Sequence, residues 1–457
     1  MELTTQGVVH SEDKLTIKQS LFFGLQSLLA CNLFLGPIVL IGIMKLELGV
    51  AAGLITATFF ACGVATLLQA GFFLRFQVVQ GMTFLIIGAA VTIAMKAGFP
   101  TLVGSFMVSS VVLMIIGVTG LYSKIIKWFL PGLVAGTVIT LIGVALMPIT
   151  FNSILSLPGS TGINFLEAFV TFAAFIVFMR LAHIKSAVGK YLGLGSVIYA
   201  IIVGTVFAGF FGHVNFGPVA NAPWIAIPKL MPYGLPKFDL NTCVVMSILM
   251  VLVMVESLGT WFTYTAMSGE KLDEKRINRG VLGEGLGCFI GSFFGALPVT
   301  SYASNAGVLA VTKVFSRHAA IGAGAIAVVM ALCPKLMYVI ALVPSSVIWG
   351  VYAVICVAVL MSGWSSLRSY PLTERNYLVI GISILTTIGS GLLPMPLIMS
   401  LPPLLGYMLS STICVGALTA IFMNLVLREK PEDRPIGETA SEEAPAAASA
   451  PEVAGAN

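Results

Sequence analysis

Apolar segments recur along this chain at approximately 20–44, 49–73, 82–95, 101–122, 128–149, 164–179, 188–211, 242–266, 281–297, 305–315, 318–342, 346–363, 377–393 and 402–427. Most approach the roughly 20 residues that a helix needs to cross the hydrocarbon core of a bilayer. Backbone N–H and C=O groups find no water there, so a chain patterned in this way must satisfy them within helices. The pattern predicts an all-α polytopic membrane protein of about fourteen transmembrane segments. Hydrophobic residues make up 58% of the 457 and charged residues 9%, a balance that no soluble core of this length requires. The partner implied is a lipid bilayer, and no nucleic acid is expected.

The position of the charges says more than their sum of +5. Taken alternately, one set of connections and both termini hold nineteen Lys and Arg, while the opposite set holds five, Lys45, Lys96, Lys229, Lys237 and Lys335. Cytoplasmic loops are enriched in Lys and Arg, so both termini are expected in the cytoplasm and the span count is expected to be even. The N-terminus has no small-residue cleavage site, which predicts that the first span is retained. The seven Cys show no CxxC pairing or metal spacing and read as small packing residues. The four His lie in the N-terminal region or around connections without partners, against a membrane enzyme with a His/Asp/Cys centre.

Two stretches are too short and interrupted to cross as regular helices. One is Phe76-Gln-Val-Val-Gln-Gly-Met-Thr-Phe84, leading into the third span, and the other is Pro298 to Lys313, leading into the tenth. Gln80 and Ser304 are 224 residues apart, close to half of the membrane region. Corresponding broken segments in two halves point to a transporter of inverted repeats with its site near the midplane, here two repeats of seven spans. The Pro-rich stretch 214–240 and the polar stretch 150–163 read as external connections. The tail from Glu429 to Asn457, rich in Glu, Ala and Pro, is predicted to be disordered.

Glu256 is the sharpest single signal, with a long apolar run before it and Leu258 and Trp261 after it. A carboxylate at that depth costs at least ~2.5 kcal/mol and usually marks a substrate or ion pathway. Glu284, flanked by Gly283 and Gly285, is a second buried-carboxylate candidate, with pairing to Arg276 or Arg279 as its plainer explanation. Glu167 reads as an interfacial helix-start carboxylate outside the site. Ser304, Asn305, Gly307 and Thr312 make sense as a half-helix opening, with Asn305 as N-cap and Gly307 admitting a ligand to the backbone. Gln80, Gly81 and Thr83 could supply the matching half, because Gln offers both donor and acceptors to the edge of a planar heterocycle. Phe76 or Phe84 could stack on such a ring.

With these residues assembled, the chain resembles the nucleobase-ascorbate transporter family, the second family of nucleobase:cation symporters, which includes xanthine and uracil permeases. The resemblance rests on Ser304-Asn305-Ala-Gly307-Val-Leu-Ala-Val-Thr312-Lys313, on Val255-Glu256-Ser-Leu-Gly259, on the Gly-acidic-Gly-Leu-Gly run at 283–287, on Val79-Gln80-Gly81 and on Gly132-Leu-Val-Ala-Gly-Thr137. It implies import of a nucleobase with a proton or sodium ion, without another cofactor, by an elevator-like movement in a bacterial cytoplasmic membrane. It also implies a cytoplasmic N-terminus at 1–17, a core domain at 18–122 and 241–342 (spans one to four and eight to eleven), and a gate domain at 123–240 and 343–428 (spans five to seven and twelve to fourteen). The gate would mediate homodimerisation, and 429–457 would be a cytoplasmic tail.

Carried over residue by residue, Glu256 would hydrogen-bond the base, Ser304 and Asn305 would line the site, Gln80 would support it, and Glu284 would take part in coupling. Three positions depart from the family's pattern. Gln26 is followed by Ser27 where the family has His, Thr260 stands where His or Asp is common, and Ser304 replaces the Glu or Gln of uracil- and xanthine-type members. A Ser is shorter than either and could admit a bulkier purine, which favours xanthine or urate over uracil. The nearest rival is an anion transporter on the same architecture, which would be expected to present a cation to its ligand.

Overall fold

The computed structural model describes residues 8–122, 124, 132–181, 189, 192, 195–214, 217–427 and 429–435. Six helices are long and apolar enough to cross a membrane: Ile17–Met44, Leu48–Gly71, Phe99–Thr119, Thr161–Leu181, Leu240–Ser268 and Ser345–Leu367. Two further pairs are sharply bent, by 86° between Arg317–Ala331 and Pro334–Ala341 and by 97° between Leu404–Ser410 and Thr412–Val426. Shorter apolar helices occupy Ile87–Ala97, Gly132–Pro148, Ser196–Gly209 and Ala303–Thr312. The chain is thus a mostly helical membrane protein, and interrupted helices are more common in it than the two breaks expected.

The helices are labelled in chain order: α1 (Ile17–Cys31), α2 (Leu35–Met44), α3 (Leu48–Gly71), α4 (Ile87–Ala97), α5 (Phe99–Thr119), α6 (Gly132–Leu155), α7 (Thr161–Leu181), α8 (Ser196–Gly209), α9 (Gly217–Asn221), α10 (Leu240–Ser268), α11 (Glu274–Phe293), α12 (Ala306–Thr312), α13 (Arg317–Ala331), α14 (Pro334–Ala341), α15 (Ser345–Leu367), α16 (Glu374–Gly391), α17 (Met395–Ser400), α18 (Pro403–Ser410) and α19 (Thr412–Val426). Local sequence sets several of their ends. Asp239, Asp273, Thr373 and Ser411 each accept a backbone N–H at a helix start. Thr16 and Gln19 close a reciprocal capping box at the start of α1.

Packing sorts the helices into two groups. In one, α13 packs on α1 and α3, and α5 packs on α10 and α11; in the other, α15 packs on α6 and α7, and α19 packs on α6 and α16. Small residues bring the backbones together, as in other membrane bundles. A Cβ added at Gly322 would lie 2.1 Å from the Ser20 carbonyl oxygen of α1, and one added at Gly363 would lie 2.3 Å from the Thr140 nitrogen of α6.

The two interrupted stretches read from the sequence meet each other. Gln80–Met82 and Val299–Ser301 form an antiparallel two-stranded sheet, β1 and β2, in the register Gln80↔Ser301, Gly81↔Thr300 and Met82↔Val299. All six strand residues are buried, so each strand supplies the hydrogen bonds that the other lacks at membrane depth. The chain is therefore not purely helical. A third break, unforeseen, lies in the first span, where Asn32 adopts a left-handed backbone (φ 48°) between α1 and α2.

Several expectations change at the periphery. Glu167 is not interfacial: it is fully buried on α7, with His213 Nδ1 2.7 Å from Oε1 and the Ser346 hydroxyl donating to Oε2. Residues 8–13 are pinned rather than loose. Val9 bridges Val314, the Ser11 hydroxyl donates to Glu270 (2.6 Å), and Glu12 pairs with Arg75 (2.8 Å) and Arg317 (3.1 Å). Residues 429–435, read as the start of the tail, dock through Asp433 on Thr373 and Asn376. The rest of the tail, 436–457, lies outside the described residues.

Candidate functional site

Helix α10 is apolar for nearly three turns before Glu256, so burial of its stripe against α5 fixes the rotation that turns this carboxylate inward. Thr83, just after β1, donates to Glu256 Oε2 over 3.3 Å. One turn on, Thr260 Oγ1 donates to the Ser301 carbonyl of β2 over 3.1 Å, tying the helix to the strand pair. Glu256, Gly259, Thr260 and Thr263 form one wall of a cavity of about 140 Å³.

The opposite walls come from interrupted backbone. Cys31, Asn32 and Leu35 line the cavity from the break in the first span, and Tyr302, Ala303 and Ser304 line it from the turn after β2. Cys31 from the first break and Ser304 from the turn after β2 thus line one cavity. Phe84 and Tyr302 face each other with ring planes only 18° apart and centroids separated by 6.4 Å, giving the cavity a flat aromatic side. Tyr302 is held by its hydroxyl on the Met82 carbonyl (2.7 Å) and by the Tyr264 hydroxyl on its own carbonyl. Gly81 lies beneath that ring, where a Cβ would come within 2.4 Å of its carbons. Ile139 of α6 and Val359 and Ser366 of α15 complete the lining from the second group of helices.

Glu284 lies behind this wall rather than on it. Ser257 donates to its Oε1 over 2.5 Å and Ser301 to its Oε2 over 3.4 Å, while Arg276 and Arg279 bind backbone carbonyls of residues 72–75 instead. Pairing with those arginines, the plainer explanation offered above, does not occur. Ser301 also receives Gln80 Nε2 (2.9 Å) and Trp261 Nε1 (2.7 Å), so the second carboxylate connects to the strand pair through one hydroxyl. Ser257 sits next to Glu256 in sequence and Thr83 bonds it, which makes the two acids neighbours across a layer of hydroxyls.

The other residues singled out from the sequence occupy different places. Gln80 is fully buried and spends its side chain on Ser301. Asn305 caps no helix with its side chain; its amide donates to Gln77 Oε1 (2.7 Å), and Gln77 in turn donates to Ser27 (2.9 Å). Phe76 is buried beneath the Arg276 guanidinium, 5.3 Å from its centroid, and does not reach the cavity. Gly307 and Thr312 lie on the short α12 away from the lining, Thr312 Oγ1 donating to the Val308 carbonyl (2.8 Å). Gln26 is buried on α1. Of the residues read as contacting a ligand, Glu256, Ser304 and Phe84 line the cavity, and Thr260 joins them.

Sequence reasoning missed Tyr302 and the Cys31–Leu35 break. A signal for the break was present, since Asn32, Gly36 and Pro37 interrupt an otherwise apolar run. Val359 and Ile139 carried none, because an aliphatic residue reaching a cavity from another helix group reads like any core position.

The arrangement is that of a binding site for a small flat polar molecule, with no Lys, Arg or His among its lining residues. The Permease family model that covers xanthine/uracil permeases matches residues 18–395. The chain belongs to this permease family. The permease is 29% identical over 427 residues to the uric acid permease PucK of Bacillus subtilis, covering 90% of this chain and 96% of that one. It is 28% identical over 423 residues to the xanthine permease of the same organism, covering 89% and 93%. In structure it resembles the transmembrane domain of the cyanobacterial bicarbonate transporter BicA, with a TM-score of 0.63, 16% identity and coverage of 84% and 98%. That likeness places the permease in a known transporter fold and says nothing of its cargo.

Proposed function

We propose that this permease imports a purine base of the xanthine or urate kind, by symport with a proton or sodium ion. The observation that carries the proposal is Glu256 lining the same cavity as the near-parallel Phe84 and Tyr302 rings. A planar heterocycle gains from aromatic faces, and its ring N–H groups are donors suited to a carboxylate. Ser304 is short enough to leave room for a bicyclic base, and the names of the uric acid and xanthine permeases among its relatives support the same class. Transport of a small inorganic anion, the cargo of the fold neighbour, is disfavoured because the charged group lining the cavity is itself an acid, and urate, an anion at neutral pH, would require Glu256 in its protonated form.

The cavity runs from Glu256 through Thr263 to Ser366, two residues before Arg368, and so leads toward the basic, cytoplasmic face expected from the charge pattern. In this reading the two acids divide the work. Glu256 holds the base, and Glu284, reached through Ser257 and Ser301, responds to the coupling ion. The α1/α3/α5/α10/α11/α13 group would carry the site past the α6/α7/α15 group in an elevator-like movement, with the latter group forming a homodimer. The direct test is uptake of radiolabelled xanthine against a competition panel of urate, guanine, adenine, uracil and ascorbate, with and without a proton ionophore and with and without sodium. Xanthine and urate should compete best; competition by uracil alone, or by none of these, would remove the assignment.

A further inference from the structure

The connection between α8 and α10 is hydrophobic in the wrong place for a water-facing loop. Residues 217–238 contain Lys229 and Lys237 and no acidic residue, and they run along the core group at the lysine-poor face. Four backbone hydrogen bonds tack the stretch down: Ala226 N to Leu332 O (3.1 Å), Lys335 N to Pro223 O (3.2 Å), Met231 N to Phe293 O (2.7 Å) and Lys237 N to Pro100 O (3.0 Å). The Tyr233 ring stacks on Phe99 with centroids 4.6 Å apart. At Gly104 a Cβ would lie 2.0 Å from the Lys237 carbonyl oxygen, so the band is inlaid against α5.

Held this firmly, the band still turns six large apolar side chains away from the protein. Trp224, Ile225, Ile227, Leu230, Leu235 and Phe238 are each more than 60% exposed, and Ile227 reaches 83%. They recur along the band from Trp224 to Phe238. Trp and Lys together are the chemistry of a membrane–water boundary: the indole tolerates both media and the ammonium reaches phosphate from an apolar stem. Lys335 already lies over the Trp224 ring, 4.4 Å from its centroid. The band also joins two apolar helices, so both of its ends are at the bilayer surface.

We infer that residues 223–238 are a membrane-anchoring band. Its apolar side chains lie among the upper acyl chains, and Lys229 and Lys237 meet the phosphates of anionic phospholipid. The band thereby fixes the depth of the core group, whatever the permease carries.

The test uses the full-length protein in phosphatidylcholine/phosphatidylglycerol vesicles whose acyl chains are brominated near the headgroup or near the bilayer centre. The difference in emission between wild type and Trp224→Phe isolates Trp224. That emission should be quenched by the shallow bromines, less by the deep ones, and not by aqueous iodide. Quenching by iodide and not by bromine would place the band in water and overturn the inference. Protection from both quenchers, together with disulfide cross-linking between copies through Ile227→Cys, would show that a second copy covers it and would overturn it equally. Lys229→Ala with Lys237→Ala should remove the dependence of the shallow quenching on phosphatidylglycerol; a dependence that survives both changes would remove these lysines from the contact.

Discussion

The two helix groups each bury carboxylates, and they treat them differently. In the group that contains α10 and α11, Glu256 and Glu284 have hydroxyls as partners: Thr83 for the first, Ser257 and Ser301 for the second. In the group that contains α7 and α15, Glu167 has a His213 nitrogen at 2.7 Å on one oxygen and the Ser346 hydroxyl on the other. An imidazole and a hydroxyl on the two oxygens of a buried acid satisfy it in place and make it costly to disturb. An acid bonded by hydroxyls alone can exchange those contacts for a ligand's donors. The same residue type thus meets different partners in the two groups, and those partners are expected to decide which acid takes part in transport.

The comparison can be broken most sharply at Glu256. Glu256→Gln is expected to abolish accumulation of labelled purine while the protein still reaches the membrane. A hydrogen bond to a charged group contributes about 1.5–3 kcal/mol, and 1.4 kcal/mol is tenfold in affinity. Normal uptake by that variant would remove Glu256 from the site. Glu284→Gln should act differently, retaining binding of the base but losing the response of uptake to ionophore or sodium removal. Equal loss of binding would merge the two acids into one role.

Glu167 should show the opposite profile. His213→Ala leaves Glu167 buried with one partner fewer and is expected to destabilise the protein by about 1–3 kcal/mol in a thermal unfolding assay. Uptake per folded molecule should stay near wild type, and a specific loss of uptake would place Glu167 with the working acids. A smaller effect is expected at Glu12, outside the membrane. Burial pushes its carboxyl up, but the hydrogen bond from Arg75 and the charges of Arg317, Arg75 and Arg276 outweigh that and hold it below its usual value of 4.5. Its contribution is therefore present above the usual value and lost as pH falls through the depressed one. Hydrogen exchange at residues 8–13 should be flat down to that usual value and rise only below it. Deleting residues 435–457 should change nothing in uptake, and lost uptake at intact expression would give the tail a role.

Much of the site was legible in the chain because the membrane makes exceptions conspicuous. An acid after eight apolar residues, and two stretches broken by Gly and Pro, have few tolerable places in a bilayer, and the burial of Glu256 and the positions of these two interruptions followed from that. The errors share a cause as well. Asn305, Gln80 and Phe76 were read as facing a ligand because polar and aromatic residues near a break often do. Their side chains instead serve Gln77, Ser301 and Arg276, contacts made across 200 or more residues of sequence that no local pattern encodes.

Sequence alone determined that this chain lives in a bilayer, which connections carry the positive charge, and two of the places where its helices break. Those features follow from the cost of an unpaired backbone group or charge in hydrocarbon, which applies wherever a residue sits along the chain. Tertiary structure alone decided that the broken stretches hydrogen-bond each other, that Tyr302 rather than Phe76 forms the aromatic wall, and that Glu167 is clasped while Glu256 is open. These depend on which side chains arrive from distant helices, and that is a property of packing rather than of any stretch of sequence.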